Sequence, residues 1–358
     1  MRHPDICIAG AGIIGLSLAL ELHHRGIHVT VLDRSSPLSE ASTAAAGMLA
    51  AGDPHNPPQL RSLANLSLSL YPAFLDRLHV LSGIRVPFQT HITLQALPHG
   101  VSTTESELTS AELARLLLAL NPGHHRFLLL DEHSLDPRQL ATAFLAAVHA
   151  STIDLRPNTP VLSTRSSSDA IEIQTPTGTV HAKQFVDCTG AWASITSRLP
   201  NLLVAPKKGQ MLALSLPPSL PLRLVVRTPD IYIVPRTSGP NVGRAVIGAT
   251  IEDAGFDKTL HPADIAHLRF LAASLLPPLA AAPQLEAWAG LRPATPDGLP
   301  LLGSLPTQPN HFIATGHYRD GILLAPATAH VMAQLLSGES PSIDLTPFSA
   351  ARSPSKQA

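Results

Sequence analysis

The residues best suited to chemistry come first in the chain. Gly10-Ala11-Gly12-Ile13-Ile14-Gly15 is a glycine turn of the GxGxxG type. In such a turn Gly10 permits the sharp bend and Gly12 lets a pyrophosphate approach the backbone. Gly15 lets a helix pack close to a strand, and the N–H groups opening that helix face the phosphates. Asp33 follows roughly 20 residues on, where a carboxylate takes ribose hydroxyls. Arg34 beside it has two readings: a partner for a 2′-phosphate, or a solvated or adenine-facing arginine. The second is preferred. The turn alone does not distinguish FAD from NAD.

These groups need a scaffold of strand, turn, helix and strand. The apolar run 6–9 reads as the first strand, 16–24 as the helix and 28–32 as the second strand. After a polar loop, the small residues of 41–49 allow close backbone approach to something flat and bulky; an ordinary alanine-rich helix start is the other reading. The spacing predicts a helix over 59–79, strand-like chain over 86–97, a capped helix over 110–120 opening at Ser110, and a helix over 137–150 with Pro137 in its first turn. Strands are expected over 159–164, 170–175 and 180–186. The last runs into Asp187-Cys188-Thr189-Gly190, a second strand end where backbone can touch a cofactor. From 207 to 250 the β-branched content and period-two alternation rise, which predicts a sheet-rich second domain. A helix over 262–276, strands near 285–292, 298–303 and 312–315, and a helix over 321–337 complete the chain.

With 358 residues, 44% of them hydrophobic, the chain can bury a large core split between two domains. A net charge of −1 gives no pointer to nucleic acid. No uninterrupted apolar stretch is long enough to span a bilayer, and the first strand starts too early for a signal peptide, so a cytoplasmic protein is expected. Cys7 and Cys188 sit in apolar runs and read as reduced core thiols. Histidine pairs such as His23-His24 are adjacent, which suits them poorly as joint metal ligands, so no metal site is expected.

Four further stretches carry a resemblance. They are 44–49, Ala-Ala-Ala-Gly-Met-Leu; 230–236, Asp-Ile-Tyr-Ile-Val-Pro-Arg; 288–298, from Trp-Ala-Gly-Leu-Arg-Pro to Thr-Pro-Asp-Gly; and 316–324, Gly-His-Tyr-Arg-Asp-Gly-Ile-Leu-Leu. Together they resemble the glycine oxidases of thiamine biosynthesis, in the D-amino-acid oxidase class of FAD-dependent oxidoreductases. The similarity runs from the first strand to about Leu336.

The resemblance implies an α/β fold with a Rossmann-like FAD-binding domain and a discontinuous antiparallel-sheet substrate domain. The expected division gives 1–82, 136–206 and 286–348 to the first, 83–135 and 207–285 to the second, and a disordered tail over 349–358. It implies non-covalent FAD, a small amino-acid substrate and O2. Glycine and other small amines or D-amino acids would be oxidised to the imine with H2O2, and iminoglycine would feed the thiazole of thiamine. Carried over by motif, Ile13 and Ile14 line the pyrophosphate turn, and Asp33 and Arg34 bound the adenosine. Ala41, Ser42, Ala46, Gly47 and Met48 lie along the flavin, with Val161 on the adenine side. His317, Tyr318, Arg319, Asp320, Gly321, Ile322 and Leu323 wrap the flavin ring. Arg292 holds the substrate carboxylate with help from Tyr232, while Arg319 and Ile251 border the amino acid. Asp320 stands where Asn is familiar in the family, adding a possible charge near the flavin.

The chemistry of the residues agrees with these roles. A carboxylate in a partly dry pocket wants a planar two-toothed guanidinium. The N-terminus of the helix beginning near Gly321 can stabilise negative charge on a reduced flavin. No side chain is expected to act as a catalytic base, because orientation and electrostatics suffice once the flavin carries the redox chemistry. Two alternatives stay open: a D-amino-acid or sarcosine-type dehydrogenase that uses a non-oxygen acceptor, and a dinucleotide-binding module without turnover. Oligomeric state is also open, a homo-oligomer included.

Overall fold

The computed structural model describes residues 4–98, 100, 106–166, 170–197, 203–306 and 308–352. A six-stranded sheet lies at one end. Its order is Leu301–Leu305, Gln308–Thr315, Gln184–Asp187, Ile6–Ala9, Val29–Leu32 and Asp154–Arg156. All pairings are parallel except the hairpin Leu301–Leu305 with Gln308–Thr315. From Ile6–Ala9 the chain moves outward through Val29–Leu32 to Asp154–Arg156. It returns to the centre at Gln184–Asp187 and grows the other way. The carboxyl ends of the two central strands therefore part into a crevice, the place where open α/β sheets take ligands.

Period two explains the two faces of this sheet. Ile6 and Ile8 enter a core built by the helices Ile13–His24, Arg61–Ser82, Pro137–His149 and Gly321–Leu336. Cys7 and Ala9 point the other way, into a smaller core with Ile171, Ile173, Val180 and Phe185. That core lies under an antiparallel meander of Ser163–Ser166, Ile171–Thr175 and Gly178–Ala182. Both cysteines are buried and free.

The larger sheet has seven strands, ordered Gln284–Ala294, Ala205–Ser215, Arg244–Gly248, Tyr232–Pro235, Val225–Arg227, Thr93–Ala96 and Phe127–Leu130. It is antiparallel apart from one parallel pair, Val225–Arg227 with Thr93–Ala96. Leu212, Ile233 and Ile247 pack under the helix Pro262–Leu275. Met211, Tyr232, Val234, Val246 and Trp288 face the other way and meet Ala46 and Met48. The alternation of each strand thus assigns one face to the core and the other to the site.

Several expectations change. The run 86–97 is two strands in different sheets, Phe88–Thr90 and Thr93–Ala96. The run 180–186 also splits, because Ala182 ends the meander and Gln184 begins the parallel sheet. The helix Ser110–Leu116 is capped by Thr109, whose side chain and that of Glu112 satisfy each other's backbone N–H groups. Residues 286–294, expected in the nucleotide domain, stay in the seven-stranded sheet as far as Ala294. The tail expected over 349–358 is ordered at its start: Arg352 forks onto Asp297 at 2.8 and 3.0 Å. Residues 353–358 lie outside the described chain.

Candidate active site

A cleft of about 520 Å³ runs from the crevice of the parallel sheet to the face of the seven-stranded sheet. At the crevice end the backbone does most of the work. Gly10 has φ +97°, and a Cβ there would sit 2.5 Å from the Cys188 carbonyl oxygen, so only glycine lets the two strand ends lie together. Gly12, Ile13 and Ile14 line the cleft beside them. Gly15 does not: a Cβ on it would lie 2.0 Å from the Gly10 carbonyl oxygen, so it serves packing inside the turn.

Two side chains complete the turn. One Asp33 oxygen accepts from the Ala11 N–H at 2.7 Å and the other from the Ser35 N–H at 2.8 Å. Asp33 lines the cleft while bracing the turn. Ser42 Oγ accepts from the Ile13 N–H at 2.9 Å, which leaves its own proton for a phosphate oxygen. Arg34 pairs with Glu40 at 2.9 Å and lies over the Trp192 ring, 3.6 Å from its centroid. Val161, Thr189 and Gly190 line this end.

The middle of the cleft is the small-residue run. Ala41–Ala44 is one short helical turn; Ala44, Ala45, Ala46, Gly47 and Met48 then pass along the wall. Two donors from the larger sheet pin it: Trp288 Nε1 to the Ala44 carbonyl at 3.0 Å and Arg236 Nη2 to the Ala46 carbonyl at 2.9 Å. Gly290, on the same face as Trp288, has no room for a Cβ, which would lie 2.6 Å from the Ala44 methyl group.

The helix Gly321–Leu336 opens onto the cleft with Gly321 and Ile322. Pro326 has no N–H, so the Ile322 carbonyl loses its usual donor four residues on. Tyr71 supplies a replacement from the helix Arg61–Ser82, its hydroxyl donating at 2.5 Å. Ser67 enters the ladder beside it, donating to the Leu323 carbonyl at 2.6 Å and accepting from the Ala327 N–H at 3.2 Å. Leu323, expected at the flavin, is fully buried in the helical core and does not reach the cleft. His317 lies buried with Nε2 3.0 Å from Thr328 Oγ1, and burial pushes its pKa down to about 3. It is therefore a neutral ring at ordinary pH.

At the far end Arg292 shares a strand face with Trp288 and Gly290. Its guanidinium lies over Gly209, where a Cβ would come within 2.3 Å of both terminal nitrogens. Nη1 donates to the Lys208 and Thr250 carbonyls at 3.3 and 3.1 Å, leaving Nε and Nη2 uncommitted to the backbone. Tyr232 is its neighbour; burial pushes the phenol pKa up, against the pull of Arg292. Met211 Sδ lies 3.3 Å from the Tyr232 hydroxyl. Ile251 lines the cleft at its rim, 61% exposed.

Sequence reasoning missed an ionic cluster beside Arg319. Asp53 Oδ2 lies 3.9 Å from both Arg227 Nε and Arg319 Nη2. Arg227, only 4% exposed, reaches Glu132 at 3.0 Å and also donates to Gln95. Burial raises the Asp53 pKa, but the two guanidiniums, together with the hydrogen bonds from His55, outweigh it and hold the carboxyl below its usual range. A signal existed: Arg227 ends the apolar run Leu224-Val225-Val226, and a charge in a buried strand needs a partner. Among the described residues no group of three or more His, Cys, Asp or Glu is arranged to hold a metal ion. No helix among them is long and apolar enough to cross a membrane.

Comparison with known proteins agrees with this geometry. Residues 5–335 match the DAO family, described as FAD dependent oxidoreductase. The chain belongs to that family. The crystal structure of glycine oxidase from Geobacillus kaustophilus superposes with a TM-score of 0.90 at 31% identity, covering 99% of this chain and all of that one. In sequence, the glycine oxidase of the same organism is 31% identical over 373 residues, with 97% of each chain covered. The bifunctional protein ThiO/ThiG of Trichormus variabilis is 36% identical over 350 residues, which covers 93% of this chain. The chain spans about half of that longer relative, 52% of its length. It is an FAD-dependent oxidoreductase, similar to proteins named glycine oxidase and ThiO/ThiG. The cleft fits the cofactor: a two-strand crevice with a glycine turn, a wall of small residues and a helix start follow one another along it.

Proposed function

We propose that this enzyme oxidises glycine, and other small amines or D-amino acids, to the imine with formation of H2O2. We further propose that iminoglycine is its product for the thiazole of thiamine. One observation carries the reading: a guanidinium held over a glycine gap at the cleft wall, with a half-buried phenol beside it. A bidentate partner of this kind suits a carboxylate in a partly dry site. The glycine oxidase and ThiO names of the relatives support the substrate and its place in thiamine synthesis.

Bound FAD supplies the two-electron acceptor. The residues supply the rest. Gly10, Gly12, Ile13, Ile14, Ser42, Asp33 and Arg34 hold the dinucleotide end, with Val161, Thr189 and Gly190. Ala41, Ala46, Gly47 and Met48 give the flat ring a wall without bulk. The N–H groups of the helix start, from Gly321 onward, would favour negative charge on a flavin bound in the cleft. Arg292 and Tyr232 fix the acid end of the substrate, and Arg319 closes the pocket from the side of Asp53. Fixing one end of so small a molecule sets the direction of its carbon–hydrogen bond, which is where positioning lowers the barrier.

The test is anaerobic addition of glycine, sarcosine and D-alanine in turn to the yellow holoenzyme. Glycine should bleach the flavin, and air should restore the colour with one peroxide per turnover. No bleaching by glycine overturns the substrate. Bleaching that quinone reverses but air does not overturns the oxygen reaction and favours a dehydrogenase.

A further inference from the structure

Asp320 is the residue the chemistry above leaves unused. It stands at the start of the helix Gly321–Leu336, lines the cleft and is buried. Its side chain makes no capping bond to the helix. The charged groups that face it come from four elements. Arg319 precedes it in the same segment, and Asp53 sits on the loop beyond the small-residue wall. Arg227 ends the strand Val225–Arg227, and Glu132 precedes the strand Ser134–Leu135. Within this group both guanidiniums are already paired: Arg227 with Glu132 at 3.0 Å and with Asp53 at 3.9 Å, Arg319 with Asp53 at 3.9 Å. Three carboxyls therefore share two guanidiniums, and Asp320 is the one without an ion pair. His317, neutral through burial, offers no further charge.

We propose that the Asp320 carboxyl takes up a proton when the bound flavin is reduced and releases it on reoxidation. A carboxylate oxygen gains an O–H bond, the proton comes from water in the cleft, and no electron passes through the group. The driving force is local. Reduction adds negative charge beside a helix start at which a third carboxylate already lacks a cation, so the next proton goes to that carboxylate. Burial is the first cause that pushes the acid up, to about 7, with Arg319 opposing and Asp53 reinforcing. The group is thus poised to change charge at ordinary pH, which an asparagine at this position would not do. The inference rests on the FAD site and not on glycine as substrate.

The experiment measures the reduction potential of the holoenzyme by dye equilibration between pH 5.5 and 9, without amino acid. The wild type should show a change of slope near pH 7, absent in Asp320→Asn. Above pH 8 the variant should be easier to reduce than the wild type, and the two should converge on the acid side. The reduced-minus-oxidised infrared difference spectrum should gain a protonated-carboxyl band that D320N lacks. Equal slopes in both proteins, or a band that persists in D320N, would overturn the proposal. Should D320N fail to retain flavin, Asp53→Asn serves instead. Removing that negative charge must move the wild-type break to lower pH, and an unmoved break sinks the idea. Because dyes do the reducing, a wrong substrate leaves this result intact.

Discussion

The two ends of the cleft are built on different principles. At the nucleotide end, contacts come from backbone N–H groups, a bend that only glycine allows, and short-range braces such as Asp33 to Ala11. At the proposed amino-acid end, charged side chains from distant parts of the chain gather: Asp53, Glu132, Arg227 and Arg319 form one cluster, and Arg292 lines the same cleft. Backbone recognition suits an invariant pyrophosphate, and it tolerates no change of shape. Side-chain recognition suits a substrate whose identity must be chosen, and it is spread over several groups. The two ends should therefore break in different ways.

The largest effect is expected at the bend. Gly10→Val puts a β-branched side chain at φ +97° and drives its Cβ into the Cys188 carbonyl. The purified variant should lack flavin absorbance altogether, whatever amino acid is added. Retention of stoichiometric flavin would mean that the turn can relax, and the contrast between the ends would fail. Arg292→Leu should do the opposite, keeping the flavin and losing the substrate. Truncating one partner of a hydrogen-bonded charge pair costs about 2–5 kcal/mol, or roughly 30- to 5,000-fold in kcat/KM. The spectrum of the free enzyme should stay unchanged, and a kcat/KM within a few-fold of wild type would remove Arg292 from the site.

Legibility in the sequence follows the same division. The glycine turn and Asp33 could be read because their determinants lie within one strand–turn–helix–strand unit. Arg292, Arg319 and Tyr232 stood out only through the longer motifs around them, since a lone arginine has no local signature. The apolar run before Arg227 announces that this cation needs a partner, but nothing in the sequence says that Asp53 and Glu132 are the partners; the cluster exists only once Thr93–Ala96 and Val225–Arg227 pair side by side. Leu323 was misassigned for a related reason. A motif names a contiguous stretch, but a helix turns 100° per residue, so Gly321 and Ile322 face the cleft while Leu323 turns into the core.

The ionic cluster also tests stability. Arg227→Met would leave Glu132, 6% exposed, without its cation. Removing one partner of a buried pair destabilises by about 3–5 kcal/mol. The urea midpoint should fall accordingly, and adding Glu132→Gln should recover part of the loss. No fall in R227M would show that water solvates the cluster. Tyr71→Phe should cost less, about 1–3 kcal/mol, as an unsatisfied Ile322 carbonyl requires. Because Pro326 cannot serve that carbonyl, the loss should largely disappear in a Tyr71→Phe, Pro326→Ala double variant.

The smallest effect belongs to the join between the two ends. Arg352 grips Asp297 with two nitrogens and also donates to the Leu299 and Pro300 carbonyls at 2.7 and 2.9 Å. It thereby clamps the turn that leads from the strand of Arg292 to the hairpin strand Leu301–Leu305. Burial raises the Asp297 pKa, but the bonds from Arg352 and the Leu299 N–H prevail and hold it below the ordinary 3.8. A carboxylate depressed in the folded state contributes stability above its unfolded pKa and loses it as pH falls through the folded one. Arg352→Ala should therefore lower stability by about 1 kcal/mol at pH 7, the size of one net hydrogen bond at this partly buried pair. The gap from wild type should narrow as the pH drops below about 4. Thermal melts at pH 7 and pH 3 provide the measurement. A gap that stays constant with pH would assign the stabilisation to the bonds from Arg352 to the Leu299, Pro300 and Ser349 carbonyls, which do not titrate, and would remove the Asp297 ion pair from the clamp.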